Sequence, residues 1–295
     1  MDSIYCEGEP CLCHREKVER LRYKYGHELS SHAFDSVYLW RREMKLSLYL
    51  GEEMFTVKCG WKGDNAWFFP CGSREEITDF LEGHREEPDF SLCYVREKDM
   101  LFLEEAFPGR FTFRRDDASS EYIYDKEEHK TLAGKKYANI RTQLHKVERE
   151  HTLRTEEISP DNIGTAMKIL NNWKGKEHSE SILPIKDTQV DREALRQWEE
   201  LGMAGILVYM DGEPYAVTAG YPLTEDTYDL FLAKEIGHMQ GISYYAKREF
   251  FLSLPGQYQY INIEEDLGIE GLRRMKKLLG PVRMNDIWEA ERCRK

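Results

Sequence analysis

Residues 258–282 read YQYINIEEDLGIEGLRRMKKLLGPV. Tyr258, Tyr260, Ile261 and Ile263 predict a short strand that runs directly into three carboxylates, Glu264, Glu265 and Asp266. Gly268 marks a turn, a basic helix is expected from there to Leu279, and Gly280-Pro281 stops it. Carboxylates between a strand end and a helix start lie where the edge of a sheet meets the positive end of a helix dipole. That is where α/β folds usually hold ligands. The same three residues also suit an ordinary helix cap.

The strand–turn–helix unit completes a longer series. Residues 152–158 predict a strand, and Ser159-Pro160-Asp161 starts a helix running to Trp173. Thr188 and Asp191 have capping-box spacing for a helix through Leu201, with Ala194, Leu195, Trp198 and Leu201 on one face and Gly202 as its stop. Residues 205–210 and 215–221 are expected to pair across an Asp211-Gly212 hairpin turn. A strand at 227–233, a helix at 241–252 and a last strand at 282–290 give the order β-α-α-β-β-β-α-β-α-β.

Ahead of this series, Ala133, Tyr137, Ile140, Leu144 and Val147 recur at spacings of four, three, four and three. They form the apolar stripe of an amphipathic helix. Lys135, Lys136, Arg141, Lys146 and Arg149 make it the most basic segment of an acidic chain, either a solvated face or a phosphate-facing surface. The first half reads as α/β: a helix at 17–25, strands at 45–50, 54–59 and 67–69, and a helix from Ser73 through Leu81 with Glu76 completing a capping box. Residues 92–95, 100–103, 111–115 and 122–124 are further candidate strands. The expected organisation is a flexible N-terminus (1–16), a first domain (17–130), a basic linking helix (131–151) and a second domain (152–295).

The stretch 260–282 resembles the C-terminal signature of the phosphatidylglycerol lysyltransferase C-terminal family. Residues 132–147 (LAGKKYANIRTQLHKV) resemble its middle Gly-Lys-Lys-Tyr turn and basic helix; residues 34–41 (FDSVYLWR) and 67–72 (WFFPCG) resemble its N-terminal landmarks. The four landmarks lie in order from about residue 21 to 292. The resemblance implies two GNAT-like acyltransferase domains in tandem, α/β (α+β) with mixed, mostly antiparallel sheets, related to the Fem-type transferases that take amino acids from aminoacyl-tRNA. The β-α-α-β-β-β-α-β-α-β order is that of a GNAT fold.

In GNAT enzymes the loop after the fourth strand binds the cofactor pyrophosphate through a Gln/Arg-x-x-Gly-x-Gly/Ala pattern at a helix N-terminus. Residues 234–243 read KEIGHMQGIS. Gly237, His238, Gly241 and Ser243 align there, but the anchoring Gln or Arg is missing, which disfavours acetyl-CoA. Glu264, Glu265 and Asp266 are candidates for recognising a donor amine or assisting proton removal, and Tyr244, Tyr245 and Tyr228 for supplying hydroxyls, or for core packing. Lys247 and Arg248 are candidates for holding phosphate or carboxylate. Lys135, Lys136 and Arg141 are expected at the rim of the same cleft; Glu235 and His238 flank the loop, where a surface role suits each.

Composition narrows the function. The 295 residues are enough for about two domains. A charged fraction of 33% with mean hydropathy of −0.67 fits a soluble, cytoplasmic protein, and no apolar run of about 18 residues could span a bilayer. Residues 1–13 lack the pattern of a signal peptide. The net charge of −12 disfavours broad nucleic-acid binding unless a local basic face exists. Cys6, Cys11, Cys13 and His14 cluster near the start, outside the resemblance, but finger-like ligand spacing is absent and no metal is expected. Three functions fit: a tandem-GNAT acyltransferase moving an aminoacyl or acyl group to an amine or hydroxyl acceptor, a CoA-dependent N-acetyltransferase of a small amine, and a non-catalytic ligand-binding relative. The donor would be aminoacyl-tRNA or acyl-CoA. The acceptor would be a small molecule or lipid headgroup, with tRNA as a possible partner.

Overall fold

The computed structural model of the chain describes residues 6–293 apart from 85, 174–186, 238 and 240. The chain divides into two compact units, Glu121–Met284 and a first unit of Met1–Ser120 to which Asn285–Lys295 returns. Among the described residues no helix is long and apolar enough to cross a membrane.

The first unit is built on an eight-stranded sheet. Its path runs Cys6–Gly8, Leu46–Leu50, Met54–Cys59, Ala66–Phe68, Ser91–Val95, Trp288–Arg292 and Phe111–Arg115, with Cys71–Gly72 pairing beside Met54–Cys59. Ala66–Phe68 and Ser91–Val95 run parallel. Met54, Trp67, Phe80, Phe90, Leu92 and Leu103 are buried in its core. Residues 6–8, expected within a flexible terminus, pair with Leu46–Leu50. The helix Arg74–Gly83 begins as expected, with Ser73 accepting from the Glu76 amide. Glu76 turns its carboxylate to the amide of Glu53 at 3.0 Å, tying the helix to the Leu46–Met54 hairpin.

Residues 100–103, expected as a strand, lie in the helix Glu97–Ala106. Asp99 caps that helix by accepting from the Arg96 amide and guanidinium. Four consecutive apolar residues cannot show which period they follow. In the helix Leu103 is buried and Leu101 is 61% exposed. The expected last strand at 282–290 is two strands, Arg283–Asn285 in the second sheet and Trp288–Arg292 in the first. Between them Ile287 is fully buried and exchanges backbone contacts with Asp116 and the Ser120 hydroxyl, which forces the break.

In the second unit the strand order is Arg283–Asn285, Glu121–Asp125, Tyr260–Asn262, Thr227–Glu235, Glu213–Pro222, Ala204–Met210 and Leu153–Glu157. Along the chain from Leu153 the described elements follow β-α-α-β-β-β-α-β-α-β, as expected. The second helix, Asp187–Arg196, begins before Thr188, so Thr188 and Asp191 lie inside it. The Asp211-Gly212 turn joins Met210 to Glu213 with positive φ at both positions. The basic helix Ala138–Glu150 buries Ile140, Leu144 and Val147 in the core of this unit beside Tyr122 and Tyr124, while Ala133 is exposed ahead of it. The units therefore part at Ser120/Glu121, upstream of the expected boundary at residue 130.

Two local features set the sheet's geometry. Gly220 sits in a bulge of Glu213–Pro222, where an added Cβ would lie 1.7 Å from the backbone oxygen of Asp229. Only glycine lets the two strands approach so closely. Asp266, fully buried, clasps the loop to the last helix, Glu270–Leu278. Its oxygens accept from the Tyr122 hydroxyl at 2.6 Å, the Gly268 amide at 2.9 Å and the Arg273 guanidinium at 2.8 and 3.0 Å. Burial pushes this carboxyl up, but the bonds from Arg273, Tyr122 and Gly268 outweigh it and hold the pKa below the usual value.

Gly220→Ala should destabilise the protein by about 3 kcal/mol or more, since the clash is with backbone. Gly271→Ala, in a helix and with nothing within 4 Å of the new Cβ, should be neutral or raise stability by up to about 1 kcal/mol. Equal melting temperatures for the two variants would contradict the bulge assignment. Asp266→Asn should cost about 1.5–3 kcal/mol at neutral pH. Because the folded carboxyl titrates low, its contribution is complete above the unfolded value of about 3.9 and disappears as pH falls through the folded value. Denaturation curves should show the deficit constant near pH 7 and shrinking below about pH 4; a pH-independent deficit would refute the ion-pair account.

Candidate functional site

The second sheet splits. Thr227–Glu235 and Tyr260–Asn262 run parallel through three matched pairs, Thr227 with Tyr260, Tyr228 with Ile261 and Asp229 with Asn262. Beyond Asp229 the longer strand continues to Glu235 against Glu213–Pro222, while its neighbour ends at Asn262 and turns away. A fork between parallel strands at their C-terminal ends is a recurrent ligand position in α/β sheets.

The fork is lined by carboxylates. Asp229 is fully buried, and among the described residues no side chain meets either oxygen at full hydrogen-bond distance and angle, although the Tyr221 hydroxyl acts on it. Burial and the charges of Glu121 and Glu265 push its pKa well up, against the opposing influence of Tyr221 and Lys276. Glu121, also buried, accepts from the Asn262 amide nitrogen at 2.8 Å. The Asn262 oxygen in turn accepts from the backbone of Glu264 at 2.8 Å, holding that residue at φ 53°. Glu264 is half-buried, and burial followed by the charges of Asp229 and Glu265 pushes its carboxyl well up, while Lys276 opposes them. Lys276 is buried and donates to the backbone oxygens of Ile263 and Glu265. Glu265, Glu264, Asp266 and Asp229 all act on Lys276, and Asp266 is also paired with Arg273.

The helix Ile242–Ser253 follows the longer arm of the fork. Gly241 starts it at φ 96°, where a Cβ would lie 2.6 Å from the Gln143 oxygen, so the helix start is pinned to Ala138–Glu150. Its N-cap, Gly241, has no side chain to cap the helix, and the amides of such a start suit an anion or developing oxyanion. One turn on, Lys247 is buried and donates to the Ser243 hydroxyl at 2.7 Å. Burial lowers its pKa to about 8, with Lys276 and Lys234 adding to the shift and Glu235 opposing it. Tyr244 is half-buried against the core, and burial raises its hydroxyl pKa.

The structure distributes the expected residues unevenly. Glu264, Glu265, Ser243, Gly241 and Tyr244 belong to the fork or the helix beside it. Gly237 lies in the preceding loop at φ 81°, and His238 falls outside the described residues. Asp266 is occupied by its clasp. Arg248 donates to the backbone oxygens of His129 and Lys130 and pairs with Glu249. Lys136 pairs with Glu128 at 2.5 Å, and Arg141 donates to the Leu132 and Gly134 oxygens, so both fasten the turn before their own helix. Lys135 is exposed. Sequence reasoning missed Asp229, Glu121, Asn262 and Lys276. The available signal was a charge at an inward position of the apolar strand TYDLFLAKE and an amide inside YIN.

The sequence profile described as phosphatidylglycerol lysyltransferase, C-terminal, matches residues 22–285. A search of curated proteins gave no match. Among solved structures, a conserved protein of unknown function from Bacteroides thetaiotaomicron superposes with a TM-score of 0.87 at 25% identity, covering 98% of this chain and 100% of that one. The structure of L-PGS from Bacillus licheniformis gives 0.68 at 17% identity over 98% and 94%. The C-terminal domain of a putative lysylphosphatidylglycerol synthetase from Agrobacterium fabrum gives 0.67 at 13% identity over 95% and 92%. Two GNAT-like α/β folds in tandem and a profile match across most of the sequence lead to one assignment: the chain belongs to the phosphatidylglycerol lysyltransferase C-terminal family.

Proposed function

We propose that the protein transfers an aminoacyl group to an amine or hydroxyl acceptor, and that the carboxylate fork recognises the cationic amine of the group transferred. The observation that carries this is the carboxyl pair at the fork, Asp229 and Glu264, both pushed well up by burial and neighbouring carboxylate charge, with Lys276 opposing. Buried carboxylates without cations take up protons instead. A primary ammonium, with three N–H donors, would replace those protons and bond the Asp229 oxygens. The acyl carbonyl would then point toward the start of the Ile242–Ser253 helix, where amides favour negative charge. Lys247, titrating near 8, would take the proton of the attacking acceptor. The family's description and its relatives' names speak of phosphatidylglycerol and a lysyl group, which supports a lipid headgroup acceptor; a donor carried on tRNA and a small-molecule acceptor fit the same chemistry.

Binding of a cationic amine should release protons and tighten as pH rises, since Asp229 and Glu264 must ionise to receive it. Calorimetry with lysine amide in buffers of different ionisation enthalpy tests this. Asp229→Asn should weaken binding at least 10-fold while leaving the melting temperature at pH 8 unchanged or higher. The sign follows from the raised folded pKa: ionisation of Asp229 destabilises the empty protein as pH rises past the unfolded value, and the variant lacks that burden. Unaltered amine binding in the variant would refute the site.

Donor choice is tested separately. Acetyl-CoA should show no micromolar affinity by calorimetry, because His238 stands where the pyrophosphate pattern has its anchoring Gln or Arg. Micromolar binding of acetyl-CoA would instead favour N-acetylation of a small amine; amine binding without turnover of either donor would favour a non-catalytic relative.

A further inference from the structure

The cysteine-rich start of the chain lies outside the family landmarks and the transferase site. Cys11 precedes a single 3-10 turn, Leu12–His14, which leads directly into the helix Arg15–Lys24. The turn closes through the His14 amide donating to the Cys11 oxygen at 2.9 Å. It also brings the His14 ring over Cys11, with Nδ1 accepting from the Cys11 amide at 3.2 Å and lying 3.5 Å from its Sγ. Cys11 and Cys13 are joined by a disulfide with their Cα atoms 5.3 Å apart. A bond between residues separated by two positions removes little chain entropy, so it contributes little as a structural staple. The other described cysteines, Cys59, Cys71, Cys93 and Cys293, are free thiols.

We propose that reduced Cys11 and Cys13, together with His14, form a binding site for a zinc ion. Each residue offers one donor atom, and the three donors lie within 4.8 Å of one another. Zinc bonds of about 2.3 Å to sulfur and about 2.0–2.1 Å to nitrogen in tetrahedral geometry require an S···N edge of about 3.6 Å and an S···S edge of about 3.8 Å. The Cys11 Sγ–His14 Nδ1 separation of 3.5 Å already meets the first requirement. The second is met when the disulfide opens, by rotation of the exposed Cys13 side chain away from Cys11. The following ten-residue helix directs its positive end at the cluster and favours two thiolates there. Three protein ligands leave the fourth tetrahedral position open to solvent.

The chemistry balances in two steps. A dithiol reductant gives two electrons and two protons to the Cys11–Cys13 bond and becomes a disulfide itself, leaving two thiols. Zinc then displaces both thiol protons, and the His14 Nδ1 lone pair exchanges the Cys11 amide for the metal. The disulfide is thus the oxidised, metal-free form of the site, and oxidation would expel the ion.

The test uses the full chain purified with reductant, then treated with cobalt(II) as a spectroscopic substitute and with zinc as competitor. One equivalent of cobalt should produce a thiolate-to-cobalt charge-transfer band that zinc abolishes. Cys11→Ser and Cys13→Ser should each remove the band, His14→Ala should weaken cobalt affinity at least 10-fold, and Cys293→Ser should change nothing. Oxidised protein should give no band. A band that survives in Cys11→Ser and Cys13→Ser would overturn the assignment, as would absence of cobalt binding by reduced protein with a native circular dichroism spectrum.

Discussion

The pairing of Asp229 with Asn262 is the point on which the second unit turns. Up to that pair two parallel strands share a ladder; past it they separate, and one arm leads to a helix start while the other ends in carboxylates. A sheet that opens this way exposes backbone and polar side chains to an interior that water reaches poorly. The chain meets the cost with specific devices. Gly220 lets the neighbouring strand close onto the Asp229 backbone, Asn262 bridges Glu121 and the Glu264 amide, and Lys276 satisfies two loop carbonyls. What these devices leave is the burial and mutual repulsion that push the Asp229 and Glu264 carboxyls up.

That repulsion distinguishes the fork from the other ionic groups nearby. Asp266 and Arg273 form a complete pair, and Lys136, Arg141 and Arg248 hold neighbouring acids or carbonyl groups. These interactions stiffen the walls of the unit. At the fork, by contrast, desolvation and mutual repulsion drive Asp229 and Glu264 toward the protonated form. A site prepared in this way discriminates by charge: a cation gains what the empty protein lacks, and a neutral acyl group does not.

Local chemistry made much of the fold legible. The Asp211-Gly212 turn, the Ser73 cap, and the buried stripe of Ile140, Leu144 and Val147 each depend on residues within a few positions of one another. Failures came where distant partners decide. Residues 100–103 are apolar on every side and take their period from the Asp99 cap, and the strand expected at 282–290 breaks because Ile287 is held by Asp116 and Ser120. The site was half legible for the same reason. Glu264 and Glu265 announce themselves as a carboxylate run, whereas Asp229 and Glu121 acquire meaning only when three strands stand side by side. Asp266 shows the converse: the run marked it, but Tyr122, far away in sequence, claims it.

The central claim is that the fork is a cation site whose carboxylates hold protons while it is empty. Carbon-13 NMR of labelled side-chain carboxyl groups, titrated with and without lysine amide, reads this directly. The account requires the Asp229 and Glu264 resonances to titrate well above the usual carboxylate range in the empty protein and to fall toward it when the amine is added. Titration of both in the ordinary range, indifferent to the amine, would contradict it.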